Sequence, residues 1–192
     1  MSAEIDTLIA GRRLLTHPFY VLWQDGGLSP HSLRDYAVQY YAVETSLVAL
    51  AEGEAWDGEE DHPELWLRFA AALGLEAGEV RDADLRPATK SLVDANAGLA
   101  ATDAGRVGAL YAYEAQAAEI AATKAWSLRR HYGVSSGLEF FEVHARSEDD
   151  HAAAGRQAMT GLDRTVVKDA VATALEPHWT FLDQALEVGA RR

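Results

Sequence analysis

The stretch Glu139-Phe-Phe-Glu-Val-His-Ala-Arg-Ser-Glu-Asp-Asp-His151 places His144, Glu148 and His151, three side chains able to bind a metal, at i, i+4 and i+7. On an α-helix that spacing stacks them on one face. Imidazole together with carboxylate suits iron, manganese or zinc better than calcium or magnesium. Phe140, Phe141 and Val143 predict that one side of this helix is buried, with His144 and His151 beside it. The simpler reading is that histidines on a charged, alanine-rich helix are merely solvated. If the triplet does hold a divalent ion, carboxylates from other helices must stand opposite to neutralise it.

Bulk properties narrow the search. With 192 residues, 48% of them hydrophobic, the chain is long enough for one ordinary globular domain, taken to span 1–192. A formal net charge of −13 argues against nucleic acid or an anionic membrane surface as the main partner. The absence of cysteine excludes disulfides, zinc–thiolate sites and thiolate nucleophiles. The start, Met-Ser-Ala-Glu-Ile-Asp, lacks a basic region followed by an apolar run. No stretch approaches the ~18 apolar residues of a membrane span. The expectation is therefore a cytoplasmic protein.

Helical spacing recurs along the chain and strand alternation does not, so the fold class read from the residues is an all-α bundle. A first helix runs to about Leu15, and Thr16-His17-Pro18 ends it. The aromatic patch Phe19-Tyr20-Val21-Leu22-Trp23 follows. Ser29 caps a helix started by Pro30 and continuing past Val48. On its face stand Leu33, Tyr36, Ala37, Tyr40, Tyr41 and Glu44. Core packing explains most of that stripe, but not Glu44. The acidic, glycine-punctuated stretch 52–61 leads into His62-Pro63-Glu64-Leu65-Trp66 and a helix ending at Gly74. Another helix follows Pro87. Asp103 is expected to cap a long helix to about Tyr132, carrying Glu114 among apolar neighbours and Lys124 roughly three turns on. A carboxylate on such a face is uncommon unless paired or bound to metal. The His144 helix is expected to run unbroken from Ser135-Ser136-Gly137 to about Met159, and Pro177 to kink or break the last helix. Among the other histidines, His17 reads as a helix stop, His31 as exposed, and His178 as lacking an obvious partner.

His62, Glu114, His144, Glu148 and His151 thus form a candidate ligand set, with one acid from 52–59 to complete it. Their motifs occur in a telling order: His17-Pro18-Phe19-Tyr20, Tyr36-Ala37-Val38-Gln39-Tyr40-Tyr41, His62-Pro63-Glu64-Leu65-Trp66, Tyr111-Ala112-Tyr113-Glu114-Ala115-Gln116 and Phe141-Glu142-Val143-His144. This series resembles the haem-oxygenase-like dimetal oxidases related to the pyrroloquinoline-quinone synthase and thiaminase families. Within them it is most similar to the chlamydial death-domain-associating type of p-aminobenzoate synthase. The resemblance covers most of the chain.

That resemblance implies a seven-helix bundle, commonly dimeric, that holds two iron ions or an iron–manganese pair and acts on O₂ with a small substrate or its own side chains. It implies His62, Glu114, His144, Glu148 and His151 as metal ligands, Glu148 standing where the family has Asp. It also implies that Tyr20 is consumed as the source of an aromatic ring and that Lys124 gives the amino group; the oxidant is expected to act on a residue or small substrate packed against Tyr20, Tyr40 and Tyr41, with Tyr41 a further catalytic candidate. In one respect the chain departs from the pattern. It is shorter around 42–61, where the family's third core helix brings the remaining Glu. Glu54 and Glu52 are the candidates for that ligand, with Glu44 a further choice. Two alternatives remain open on the residues alone: a metal-free enzyme of the same fold, and a non-catalytic helical interaction module.

Overall fold

The structure, a computed structural model, describes residues 2–51, 61–146 and 148–190, with all their side chains except those of residues 2, 148–152, 189 and 190. Among these residues it forms ten α-helices and one 3₁₀ turn, with no strand. In chain order they are α1 Ser2–Gly11, the 3₁₀ turn Leu14–Thr16, α2 Pro18–Gln24, α3 Pro30–Ala51 and α4 His62–Ala72. Then come α5 Ala77–Arg81, α6 Pro87–Leu99, α7 Asp103–His131, α8 Glu139–His144, α9 Glu148–Ala158 and α10 Arg164–Ala190. The all-α bundle is as the sequence predicts, with ten helices rather than seven. One of the additional helices is α5, a short helix whose N-terminus is closed by reciprocal hydrogen bonds between Glu76 and Glu79.

Local chemistry explains most helix starts. Proline stands in the first turn of α2, α3, α4 and α6, where its missing N–H costs nothing. The His17 ring accepts from the Phe19 N–H, so the expected stop is also the cap of α2. Ser29 Oγ accepts from the Ser32 N–H at 3.0 Å, and Asp61 Oδ1 from the Glu64 N–H at 3.3 Å. On α7 the cap is Thr102 rather than Asp103, its hydroxyl accepting from the Gly105 N–H.

Of two expectations about helix continuity, one is narrowed and one corrected. Pro177 lies inside α10 without breaking it. The lost hydrogen bond is outweighed because Val171, Ala174, Leu175, Phe181 and Leu182, on both sides of the proline, are buried against the bundle. Conversely, the helix expected to carry His144, Glu148 and His151 is two helices. The chain turns at Ala145 and Arg146, whose N–H groups donate to Phe141 and Val143, and α9 begins anew at Glu148. The run Glu148-Asp149-Asp150 favours the positive N-terminal end of a helix over a helix middle. The three residues therefore do not lie on one continuous helix.

The alanine-rich α7 runs through the centre, touching α2, α3, α6, α8, α9 and α10, and packs most extensively on α10. At their crossing a Cβ on Gly108 would stand 2.8 Å from Ala170 Cβ and 2.8 Å from the Val167 carbonyl oxygen. Substituting Gly108→Ala is expected to cost about 1–3 kcal/mol by forcing these helices apart. Urea unfolding checks it: the midpoint falls and the slope is unchanged.

Candidate metal centre and its aromatic cavity

Glu44, His62 and His144 come from α3, the start of α4 and the end of α8. One donor atom from each lies within 4.8 Å of the others. Their placement follows from the sequence. Tyr36, Tyr40 and Glu44 recur every four residues, so one face of α3 carries all three. The Asp61 cap and Pro63 fix His62 in the first turn of α4. Glu44 Oε1 is 3.7 Å from His62 Nδ1, and the His62 and His144 rings are 4.6 Å apart between centroids. Donors on one ion at ~2.1 Å stand at most ~4.2 Å from each other, so the set closes on an ion with a small side-chain adjustment. The His144 Nδ1–H donates to the Phe140 carbonyl at 2.7 Å, which fixes the tautomer whose Nε2 carries the lone pair. Two imidazoles and one carboxylate are the donor set of non-haem iron sites that activate oxygen.

Electrostatics agrees with a cation at this point. Glu44 is buried, and burial first, then the charge of Glu114, pushes its carboxyl up to about 8, against a smaller opposing effect of Lys124. A divalent ion would supply the positive charge that this carboxylate lacks.

The other expected site residues are placed as follows. Half-buried on α7, Glu114 lines one small cavity with His144 and lies close enough to act on Glu44. Glu148 and His151 are on α9, with their side chains outside the described residues. Glu52 and Glu54 lie wholly outside the described residues. Glu44, the further choice, is the acid found with His62 and His144.

Tyr20 and Lys124 line the same cavity, about 60 Å³ in volume. Between them stands Tyr36, fully buried. Its hydroxyl receives a hydrogen bond from Lys124 Nζ at 2.7 Å and is 3.0 Å from the Tyr20 hydroxyl. Lys124 Nζ sits over aromatic rings, 4.7 Å from the Tyr20 centroid, 4.8 Å from Tyr36 and 5.2 Å from Tyr40. Burial lowers its pKa to about 7, with Glu44 opposing. The hydroxyls of Tyr20, Tyr36 and Tyr40 are all raised by burial and stay protonated. Tyr41 is not brought to this cavity. One residue beyond Tyr40 is a turn of ~100° around α3, and Tyr41 lines a separate groove with Arg81 and Asn96. Two neighbours of Lys124 and the cavity escaped the sequence reading. Tyr36 looked like packing, although its spacing to Tyr40 and Glu44 carried the signal. His178 showed none, because its cavity neighbours come from other helices.

The family described as iron-containing redox enzymes matches residues 31–183. A protein of Nitrosomonas europaea named 4-aminobenzoate synthase is 32% identical, the match covering 94% of this chain and 88% of that one. One of the same name from Chlamydia pneumoniae is 29% identical over 93% and 91%. Among solved structures, a TenA homologue from Pseudomonas syringae superposes with a TM-score of 0.78 at 15% identity, covering 96% of this chain and 92% of that one. A Shewanella denitrificans domain of unknown function with a haem-oxygenase-like fold gives 0.73 at 17%, over 97% and 90%. The bundle is thus of the TenA and haem-oxygenase type, and the chain belongs to the family of iron-containing redox enzymes.

Proposed function

We propose that the chain is an O₂-dependent oxidase that forms 4-aminobenzoate, taking the ring from Tyr20 and the nitrogen from Lys124. The observation that carries this reading is the Tyr20–Tyr36–Lys124 hydrogen-bond chain, which sets an amine over a phenol ring beside a two-histidine, one-carboxylate cluster. The names of the two relatives support it. Glu44, His62 and His144 would hold iron, with Glu114, and Glu148 and His151 on α9, as the further ligands of a second iron or manganese. Bound metal would supply the oxidising equivalents from O₂.

The chain's own residues do the rest. The Tyr36 hydroxyl accepts from Lys124 Nζ, holding the amine over the Tyr20 ring. Burial leaves a substantial fraction of Lys124 as free amine near pH 7, so a nitrogen lone pair is present without a separate base. The surrounding Trp23, Tyr40 and Phe141 keep bulk water from both groups.

The test is isotopic. Protein made with ring-¹³C tyrosine and ¹⁵N-lysine is loaded anaerobically with iron, with or without manganese, and exposed to O₂. The reading expects bound metal, O₂ uptake and released 4-aminobenzoate carrying both labels. Unlabelled product means an external substrate, and no bound metal with no O₂ uptake ends the oxidase reading. Substituting Tyr36→Phe should lower product by about 2- to 10-fold, the worth of one hydrogen bond to a neutral amine. Mass spectrometry of the product and an unchanged circular dichroism spectrum check it together.

A further inference from the structure

His178, on α10, is only 2% exposed, and neither ring nitrogen has a hydrogen-bond partner among the described residues. Its ring lies against Tyr113, Tyr40 and Phe181, at 5.2, 6.2 and 6.1 Å between centroids, none of which satisfies an imidazole nitrogen. Buried polar groups in folded proteins nearly always find a partner, in the protein or in bound water. The ring lines the cavity that also holds Tyr20, Glu114, Lys124 and His144. Lys124 Nζ has more donors than the single bond to Tyr36 uses.

Size decides what can join them. The cavity is about 60 Å³, whereas an empty cavity that takes up benzene is roughly 150 Å³ and room of about 10–15 Å³ already admits one water. No aromatic guest fits beside the side chains already there. Water does, and the polar groups on the wall favour water over an apolar gas.

We infer that this cavity is a hydration site, in which bound water bridges His178 to Lys124. The water accepts from Lys124 Nζ and donates to the ring nitrogen of His178 that carries no proton. Burial holds His178 neutral, lowering its pKa to about 3, so it can accept in this way at any pH near neutrality. Through the water, His178 is a positioning residue: together with Tyr36 it gives Lys124 Nζ hydrogen bonds on two sides. The consequence for catalysis rests on the proposed role of Lys124, whereas the water site does not.

A crystal structure of the metal-loaded chain at high resolution, with and without xenon pressure, tests the site directly. Water density within hydrogen-bond distance of both a His178 nitrogen and Lys124 Nζ, with no xenon, is the expected result. Xenon in a dry cavity would overturn it, as would a His178 nitrogen bonded to a group from 52–60 or 148–152. The variants His178→Gln and His178→Leu supply the second measurement. Glutamine should keep the water and most of the product yield, while leucine should lose the water and at least tenfold of the yield. Equal yields from both variants would leave His178 a packing residue and contradict its positioning role. If neither variant nor wild type makes product while the water is present, the proposed function fails and the water site stands.

Discussion

Replacing Lys124 with methionine is expected to end 4-aminobenzoate formation and, at the same time, to make the metal-free chain more stable. Lys124 is 4% exposed, with one hydroxyl and a set of aromatic rings as its partners. An unfolded lysine keeps its proton up to its ordinary 10.5, whereas this one loses it at about 7. At pH 7 the folded chain therefore carries a penalty on the order of 3–4 kcal/mol that methionine, of similar shape, removes. For a chain of this size that is a rise of roughly 10 °C in midpoint.

The pH dependence gives the same group a signature. Between about 7 and 10 the unfolded chain holds a proton that folded Lys124 has released, so wild-type stability should climb with pH. The climb ends near 10, where the unfolded tyrosines ionise while Tyr20, Tyr36, Tyr40 and Tyr113 stay protonated by burial. Glu44 acts the opposite way, since its raised carboxyl loses stability as pH rises from 4.5 through about 8. The quantity to measure is thus the difference between wild type and Lys124→Met, by urea unfolding at pH 7, 8.5 and 10. It should be largest at pH 7 and shrink toward pH 10. A variant less stable than wild type at pH 7 would mean that the Lys124 cage is a net stabilising contact.

The second large effect is the loss of iron. Substituting Glu44→Ala or His144→Ala should lower iron affinity about 100-fold or more. Groups that merely orient a ligand are worth 10–100-fold, and these two are proposed to bind the metal itself. The fold should survive, because removing Glu44 takes a costly buried carboxylate out of the bundle. The discriminating measurement is the thermal midpoint with and without Fe(II) under anaerobic conditions. Binding at 100-fold above the dissociation constant adds about 2.7 kcal/mol to the wild type, and the variants should show no such gain. If Glu44→Ala kept the full iron-induced gain, Glu44 would not be a ligand.

How much of this was legible without coordinates differs by residue. The bundle was, since apolar spacing and the prolines at 18, 30, 63 and 87 mark helix after helix in physical terms that act locally. His62 and His144 were named from their motifs, and they do stand side by side. Glu44 was noticed as an acid on an aromatic stripe but ranked behind Glu52 and Glu54, because a contact between the middle of α3 and the start of α4 is not encoded in spacing. The break between α8 and α9 was missed because an i, i+4, i+7 pattern says how residues would align on a helix, not whether the helix continues. Tyr41 was drawn in by its neighbour Tyr40, although adjacent helical residues face different ways. The contacts of His178 and Tyr36 arise only from tertiary packing across α2, α3, α7 and α10.

The central claim is that one cation binds among Glu44, His62 and His144. Anomalous diffraction from anaerobically iron-loaded crystals, collected on either side of the iron absorption edge, tests it without reference to activity. The account predicts a difference peak within ordinary coordination distance of Glu44, His62 Nδ1 and His144 Nε2. A map with no peak there, or with iron held elsewhere by groups that exclude Glu44 and both histidines, would contradict it.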